Sequence, residues 1–182
     1  MDNGASSYRH FLDGYDSGIV EVVEEYKDAL ILYLNSYVCN IHTAEELAED
    51  TFFKLMIKKP RFSGKSSFKT WLYAIARNIA IDHLRRRSKR ADELIEDVLI
   101  SEDDLERNYF REEQKVILHK YLAEIKAEYR EALYLTFFEE LTNDQAAKVM
   151  KKNKRQVEML VYRGKLALRE RMEREGFVYE EL

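Results

Sequence analysis

One proline, one cysteine and six glycines in 182 residues are the scarcities of this sequence, and each removes a class of protein. With Cys39 alone, no disulfide can close within the chain, so neither a bridge-stapled secreted scaffold nor a cysteine-based zinc site is supported. Its expected role is core packing. So little proline and glycine leaves few breaks, and the long stretches rich in Ala, Leu, Glu, Lys and Arg lose little side-chain freedom in a helix. No apolar run approaches the ~20 residues that cross a bilayer, and "MDNGASSYRHFLDG" lacks the basic-then-apolar order of a signal peptide. The expectation is a soluble, cytoplasmic protein without membrane insertion. His10, His42, His83 and His119 have no metal-ligand spacing, and there is neither a glycine-rich phosphate loop nor an arguable Cys/His nucleophile pair. No metal, no cofactor and no enzymatic activity are expected.

What the chain does have is apolar content, 46%, enough to bury a core as one domain or two small ones. It also has charge, strongly segregated. Residues 1–53 carry a net −9, residues 54–90 a net +11 and residues 91–113 a net −8, while residues 148–171 return to +7. Two basic blocks separated by an acidic, weakly apolar segment suggest two nucleic-acid-facing modules joined by a linker. The acidic segment is open to two readings, a solvated linker or a cover for a basic patch when DNA is absent. The fold class expected is all-α, with two small helical domains joined by an acidic linker, the second a helix-turn-helix. The boundaries read as an N-terminal tail over 1–18, a first domain over 19–90, the linker over 91–113 and a second domain over 114–182.

In the first domain, Ile19, Val22, Val23, Tyr26, Leu30, Tyr33, Leu34, Tyr37 and Val38 form a 3.6-residue stripe, a core helix. "TAEELAEDTFFKLMIKK" opens with Thr43 and Glu46 in capping-box spacing, and its early acids suit the positive end of a helix dipole, so a helix is expected to start at Thr43. "PRFSGKSS" reads as a loop with cationic Arg61 and Lys65, after which Ser66 or Ser67 caps the next helix. That helix is expected to bury Phe68, Leu72, Ile75, Ala76 and Ile79. Lys69, Tyr73, Arg77, Asn78 and Asp82 then point outward, ahead of the run Arg85, Arg86, Arg87, Lys89 and Arg90. Trp71 and Tyr73 stay open between packing and base stacking.

In the second domain "LTNDQAAKVM" has Thr142 and Gln145 in capping-box spacing, and Asn153 is placed to cap the basic helix that follows. Short helix, tight turn and longer basic helix are the layout of a helix-turn-helix, which plain helical hairpins share. Val157, Leu160, Val161, Gly164 and Leu168 are expected to pack on Leu133, Phe137, Ala146 and Val149. Lys154, Arg155, Glu158 and Met159 are the candidates for base edges, and Lys151, Lys152, Arg163 and Lys165 for phosphates.

With these residues in place, "FSGKSSFKTWLYAIARNIAIDHLRRR" resembles the second conserved region of bacterial RNA polymerase sigma factors of the extracytoplasmic-function (ECF) group, within the sigma-70 family. "YREALYLTFFEELTNDQAAKVM" with its following helix resembles the group's fourth region. Together they span roughly residues 19–90 and 115–174 in the order of that group. The resemblance implies an alternative sigma factor that binds core RNA polymerase and directs promoter recognition, DNA melting and transcription initiation, without catalysis of its own. It implies polymerase docking, on the beta-prime clamp helices, by Glu45, Glu46, Glu49, Asp50 and Phe53, and a beta-flap contact. For the minus-ten element it implies Arg61, Ser63, Gly64, Lys65, Ser66, Ser67, Lys69, Trp71, Arg77, Asn78, Asp82, Arg85 and Arg86. For the minus-thirty-five element it implies Lys152, Asn153, Lys154, Arg155, Glu158, Met159, Tyr162 and Arg163. An anti-sigma factor is a common further partner in the group, though no segment here identifies one. Lys65 stands where the group usually has an acid, Met56 where it often has Trp and Thr43 where it often has Asp. Glu158 and Leu160 replace a frequent Lys and Arg. The competing reading is a free-standing helix-turn-helix regulator, which leaves the acidic helix and the serine-rich loop without a task.

Overall fold

The stripe beginning at Ile19 forms α2, Ser17–Val38, in the computed structural model of the chain, which describes residues 3–91 and 113–174. Contacts divide the chain into two compact units, Met1–Glu102 and Asp103–Leu182. Among the described residues every regular element is helical, as the all-α reading expected. The acidic segment expected as a linker over 91–113 lies outside the described residues except at its two ends.

In the first unit α2 buries Val22, Leu30, Ile31, Tyr33 and Leu34 and ends at Cys39, which adopts φ +50°. Cys39 is half-buried there. The next helix, α3, runs Ile41–Lys58, two residues earlier than the expected start at Thr43. Asn40, not Thr43, is the cap: its Oδ1 accepts from the Thr43 amide at 2.9 Å. The earlier start buries Ile41 on the same face as Ala44, Leu47, Ala48 and Leu55, and Asn caps a helix at least as well as Thr.

The last described helix of this unit, α4, spans Phe68–Ala91. Ser67 caps it, its Oγ accepting from the Thr70 amide at 3.2 Å. The buried face is Phe68, Leu72, Tyr73, Ala76 and Ala80. Tyr73 is thus inside rather than outward, because Tyr33 of α2 offers it a ring at 4.9 Å, while Ile75 and Ile79 are only half-buried. Each fully buried side chain of this size contributes roughly 1.5–3 kcal/mol.

The segment expected to be a tail forms a helix, α1, Asn3–Leu12, whose Tyr8 and Phe11 are buried. Two buried side chains in a ten-residue segment ahead of α2 were too few to give a readable periodicity. Phe11 and Tyr8 lie three apart, so they share one helix face, and glycines let that face approach its neighbours. A Cβ on Gly18 would sit 2.3 Å from the Ser7 carbonyl oxygen and 2.5 Å from the Phe11 amide nitrogen.

The second unit begins with α5, Glu113–Glu124, and α6, Ala127–Leu133, which continues into a π turn over Tyr134–Phe138. Arg130, 8% exposed, reaches back from α6 to the last turn of α5, donating from Nη1 to the carbonyls of Leu122, Ala123 and Ile125 at 3.3, 2.8 and 3.3 Å. Those carbonyls have no intrahelical partner, and a guanidinium satisfies them while meeting the negative helix end. Leu122, Ile125 and Leu133 form the core against Leu118, Tyr129, Val161 and Leu168. Phe137, expected in this core, is 52% exposed. The π turn adds a residue where an α-helix would have brought Phe137 beneath Leu133, so its ring turns out and lies 4.7 Å from the Lys165 ammonium. Burial holds His119 well below the ordinary histidine range, at about 4, beside the rings of Tyr134 and Phe138.

Gly18→Ala separates propensity from close approach. In an open helix this exchange stabilises by up to about 1 kcal/mol. Here the obstacle is backbone, so overpacking costs about 1–3 kcal/mol, and thermal unfolding of the first unit should shift downward. An unchanged or raised midpoint would mean that α1 and α2 separate without penalty.

Candidate nucleic-acid and partner interfaces

Three surfaces of the first unit carry the sequence-derived candidates. On α3, Glu46, Glu49, Asp50 and Phe53 are exposed and Glu45 half-buried, a run at helical spacing that places acids beside a ring 61% exposed. Apolar Met56 and Ile57 extend the strip. An open groove of about 780 Å³ runs along it, with Val23, Lys27 and Ile31 of α2 as its second wall. That wall was not legible beforehand, since Val23 has the same periodic place as the core residues of α2. Its half-exposure reflects a stripe wider than the face that α3 covers. Apolar surface rimmed by charge suits a protein partner.

The second surface is the loop over 59–67. Arg61, Ser63, Gly64 and Lys65 are exposed, and Ser66 and Ser67 half-buried. Gly64 has φ +70°, where a Cβ would meet nothing within 4 Å, so only the backbone conformation calls for glycine. Ser67 is engaged as the α4 cap, its Oγ also 2.8 Å from the Thr70 hydroxyl. Trp71, left open between packing and stacking, is half-buried in a ring cluster, 5.3 Å from Tyr8, 5.3 Å from Phe62 and 5.4 Å from Phe68.

The third is the remainder of α4. Lys69 is half-buried with its ammonium 5.6 Å from the Tyr73 ring, and Arg77, Asn78 and Asp82 are half-buried. Asp82 pairs with Arg85 at 3.0 Å one turn on, and Arg85 and Arg86 are exposed. An exposed pair of this kind stabilises the helix by well under 1 kcal/mol, so it can give way to a phosphate at small cost. The same helix that packs through Phe68 and Leu72 therefore ends as a cationic rod.

In the second unit, α7, Asn143–Met150, opens with the expected capping box between Thr142 and Gln145. Lys151 turns the chain at φ +54°, and α8 runs Lys154–Arg174. Asn153 caps it as expected: its Oδ1 accepts from the Gln156 amide at 2.8 Å, and Gln156 Oε1 accepts from the Asn153 amide at 2.9 Å. Such reciprocal caps contribute about 1 kcal/mol and fix the entry angle. Val157 and Gly164 are the buried residues of α8, and a Cβ on Gly164 would stand 3.1 Å from Leu133, so α8 lies close on α6. The helix is left with an outward face of Arg155, Met159, Tyr162 and Leu166, flanked by exposed Glu158 and Arg163. Two candidate cations already have acidic neighbours, Lys152 with Glu128 at 2.7 Å and Lys154 with Asp144 at 3.2 Å. Arg155 has no ion pair among the described residues. The geometry is a helix-turn-helix with an exposed, cationic second-helix N-terminus, the part that enters a major groove.

Among the described residues no helix is long and apolar enough to cross a membrane, and no group of three or more His, Cys, Asp or Glu could hold a metal ion.

The chain is similar to known proteins over most of its length. "Sigma-70 region 2" matches residues 22–90 and "Sigma-70, region 4" matches residues 115–168. The chain is 31% identical over 140 residues to the RNA polymerase sigma-H factor of Pseudomonas aeruginosa, covering 71% of this chain and 72% of that one. It is 28% identical over 154 residues to the ECF RNA polymerase sigma factor SigM of Bacillus subtilis, covering 83% of this chain and 93% of SigM. In fold it is similar to the sigma factor RpoE of Bartonella quintana, solved in complex with the anti-sigma factor NepR, with a TM-score of 0.71, 23% identity and coverage of 84% of this chain and 95% of that one.

Proposed function

The chain belongs to the ECF group of the sigma-70 family of RNA polymerase sigma factors, and from that premise we propose which of its surfaces does which part of the work. As an alternative sigma factor it binds core RNA polymerase and directs promoter recognition and transcription initiation. The observation that carries the division of labour is the presence, in one unit, of an acidic and apolar helix face, a glycine-containing cationic loop and a helix ending in arginines.

Glu45, Glu46, Glu49, Asp50 and Phe53 dock on the beta-prime clamp helices, with Phe53 as the apolar anchor and the acids as the rim that steers a basic partner. The loop of Arg61, Ser63, Gly64, Lys65, Ser66 and Ser67 takes a base flipped from the non-template strand of the minus-ten element. Flipping costs a few kcal/mol of unstacking, which hydrogen bonds to the base and phosphate contacts offset. Lys69, Trp71, Arg77, Asn78, Asp82, Arg85 and Arg86 hold the strands where they part, with Trp71 supporting the loop from behind through Phe62. The second unit reads the minus-thirty-five element: Lys154, Arg155, Glu158 and Met159 face base edges, and Lys152, Asn153, Tyr162 and Arg163 set the module on the backbone. The same unit meets the beta flap. Nucleotidyl transfer belongs to core polymerase, and the chain adds no catalytic step. It works in the cytoplasm, and an anti-sigma factor, the kind of partner with which RpoE was solved, is a candidate further partner.

Two substitutions test the assignments. Lys65→Glu reverses the loop's charge and should change which minus-ten base is preferred while leaving polymerase affinity unaltered. Equal loss on every promoter sequence would remove the loop from base reading. Arg155→Ala should cost about 1–3 kcal/mol at the preferred minus-thirty-five sequence and relax one base position. Uniform weakening across sequences would make Arg155 a phosphate contact instead.

A further inference from the structure

The helix that precedes the matched regions, α1, grips the loop that follows α3. Tyr8 is 1% exposed, and its hydroxyl donates to the Pro60 carbonyl oxygen at 2.9 Å across 52 positions of sequence. Proline fixes its own φ, so a carbonyl held at Pro60 fixes the direction in which the chain leaves for Arg61 and Ser63. The residue before it, Lys59, has φ +42°, which a side-chain-bearing residue adopts only at a cost, and its ammonium sits 4.7 Å from the Phe11 ring of the same helix. One residue past Arg61, the Phe62 ring is held at 5.6 Å from Phe68 and 5.3 Å from Trp71, the rings that also flank Tyr8 at 5.5 and 5.3 Å. Lys59, Pro60 and Phe62 are therefore each tied down, and the first two are tied to α1. The stretch from Ser63 to Lys65 projects into solvent from this fixed base.

We propose that Tyr8 is a positioning residue for base capture, holding the Pro60 carbonyl so that the loop over 63–67 is already set when a flipped base arrives. The proposal rests on the reading of that loop as the base-capturing element. Capture by a loop that must first order itself loses affinity to the ordering, and that loss falls on the base contact alone. Tyr8 is not among the residues that line the groove along α3. Burial also pushes its phenol up to about 12, so it stays a donor throughout the neutral range.

The test compares the full chain with Tyr8→Phe, both assembled with core polymerase. The substitution keeps the ring and removes only the donor. The ligands are two non-template single strands, one with the preferred base at the captured minus-ten position and one abasic there. Measurement well below both unfolding midpoints keeps folding out of the comparison. The wild-type holoenzyme should prefer the intact strand, and Tyr8→Phe should lose roughly three- to tenfold of that preference, the scale of one hydrogen bond, with polymerase affinity unchanged. Trp71 is the only tryptophan in the chain, so its fluorescence reports on the ring cluster, and the variant should leave it more accessible to a neutral quencher. If the variant retains the full preference, the positioning role is overturned while base capture by the loop stands. If the wild type itself does not distinguish the two strands, the base-capture reading fails and the role of Tyr8 fails with it. If the variant weakens both strands equally, Tyr8 acts on stability alone and the proposal is again overturned. Phe11→Leu, which removes the ring beneath Lys59 while keeping apolar volume, should reduce the preference in the same direction, and a preference unchanged there as well as in Tyr8→Phe would exclude α1 from any part in it.

Discussion

Burial of one face of α4 is the interaction on which the first unit depends. Phe68, Leu72, Tyr73, Ala76 and Ala80 are all fully covered by α1, α2 and α3, and Tyr8, Tyr26 and Tyr33 of the first two each set a ring within 6 Å of Phe68 or Tyr73. Because a helix is rigid over this length, fixing its first four turns also fixes what precedes and follows them. The loop over 59–67 is delivered at one end and Arg85 and Arg86 at the other, both outside the core. Packing face and candidate nucleic-acid face are thus two sides of one element, with Lys69 and Arg77 on the flanks of the buried turns and the dense run of cations from Arg85 on lying beyond the last of them.

The second unit meets a similar demand with less buried surface. Among its described residues α8 fully buries only Val157 and Gly164, so its placement rests also on half-buried Val161 and Leu168 against the core of Leu122, Ile125 and Leu133, on the reciprocal cap at Asn153 and Gln156 and on the Arg171 ion pair with Glu124. Arg130 ties α6 to the end of α5 in the same economical way. An exposed first turn with Arg155 uncommitted among described residues and with Lys152 and Lys154 beside acids makes a surface whose positive potential is moderated. On such a surface part of the positive charge is already met within the chain, which lowers its non-specific attraction for a polyanion.

Much of this was legible in the residues because it rests on local rules. The capping box at Thr142, the break at Pro60 and Gly64, and charge segregation depend on near neighbours, and Thr142, Asn153 and Ser67 cap where spacing placed them, whereas the box expected at Thr43 gave way to a cap at Asn40. What was not legible depends on partners distant in the chain. Ile41 moved a helix start because α2 could bury it. Tyr73 turned inward because Tyr33 was there to meet it. Phe137 turned outward because a π turn, invisible to a 3.6-residue count, intervened. The helix at Asn3–Leu12 was passed over since its two buried rings read as isolated, and the second wall of the α3 groove looked like ordinary core.

The central claim is that these surfaces act together on polymerase and promoter rather than on duplex DNA alone. The most direct measurement mixes the purified chain with core RNA polymerase and a library of promoter fragments and maps transcript starts, with a footprint of the free chain alongside. The account predicts chain-dependent starts downstream of sequences sharing a minus-ten and a minus-thirty-five element, and little protection of duplex by the free chain. A free chain that footprints duplex DNA while forming no holoenzyme would contradict it.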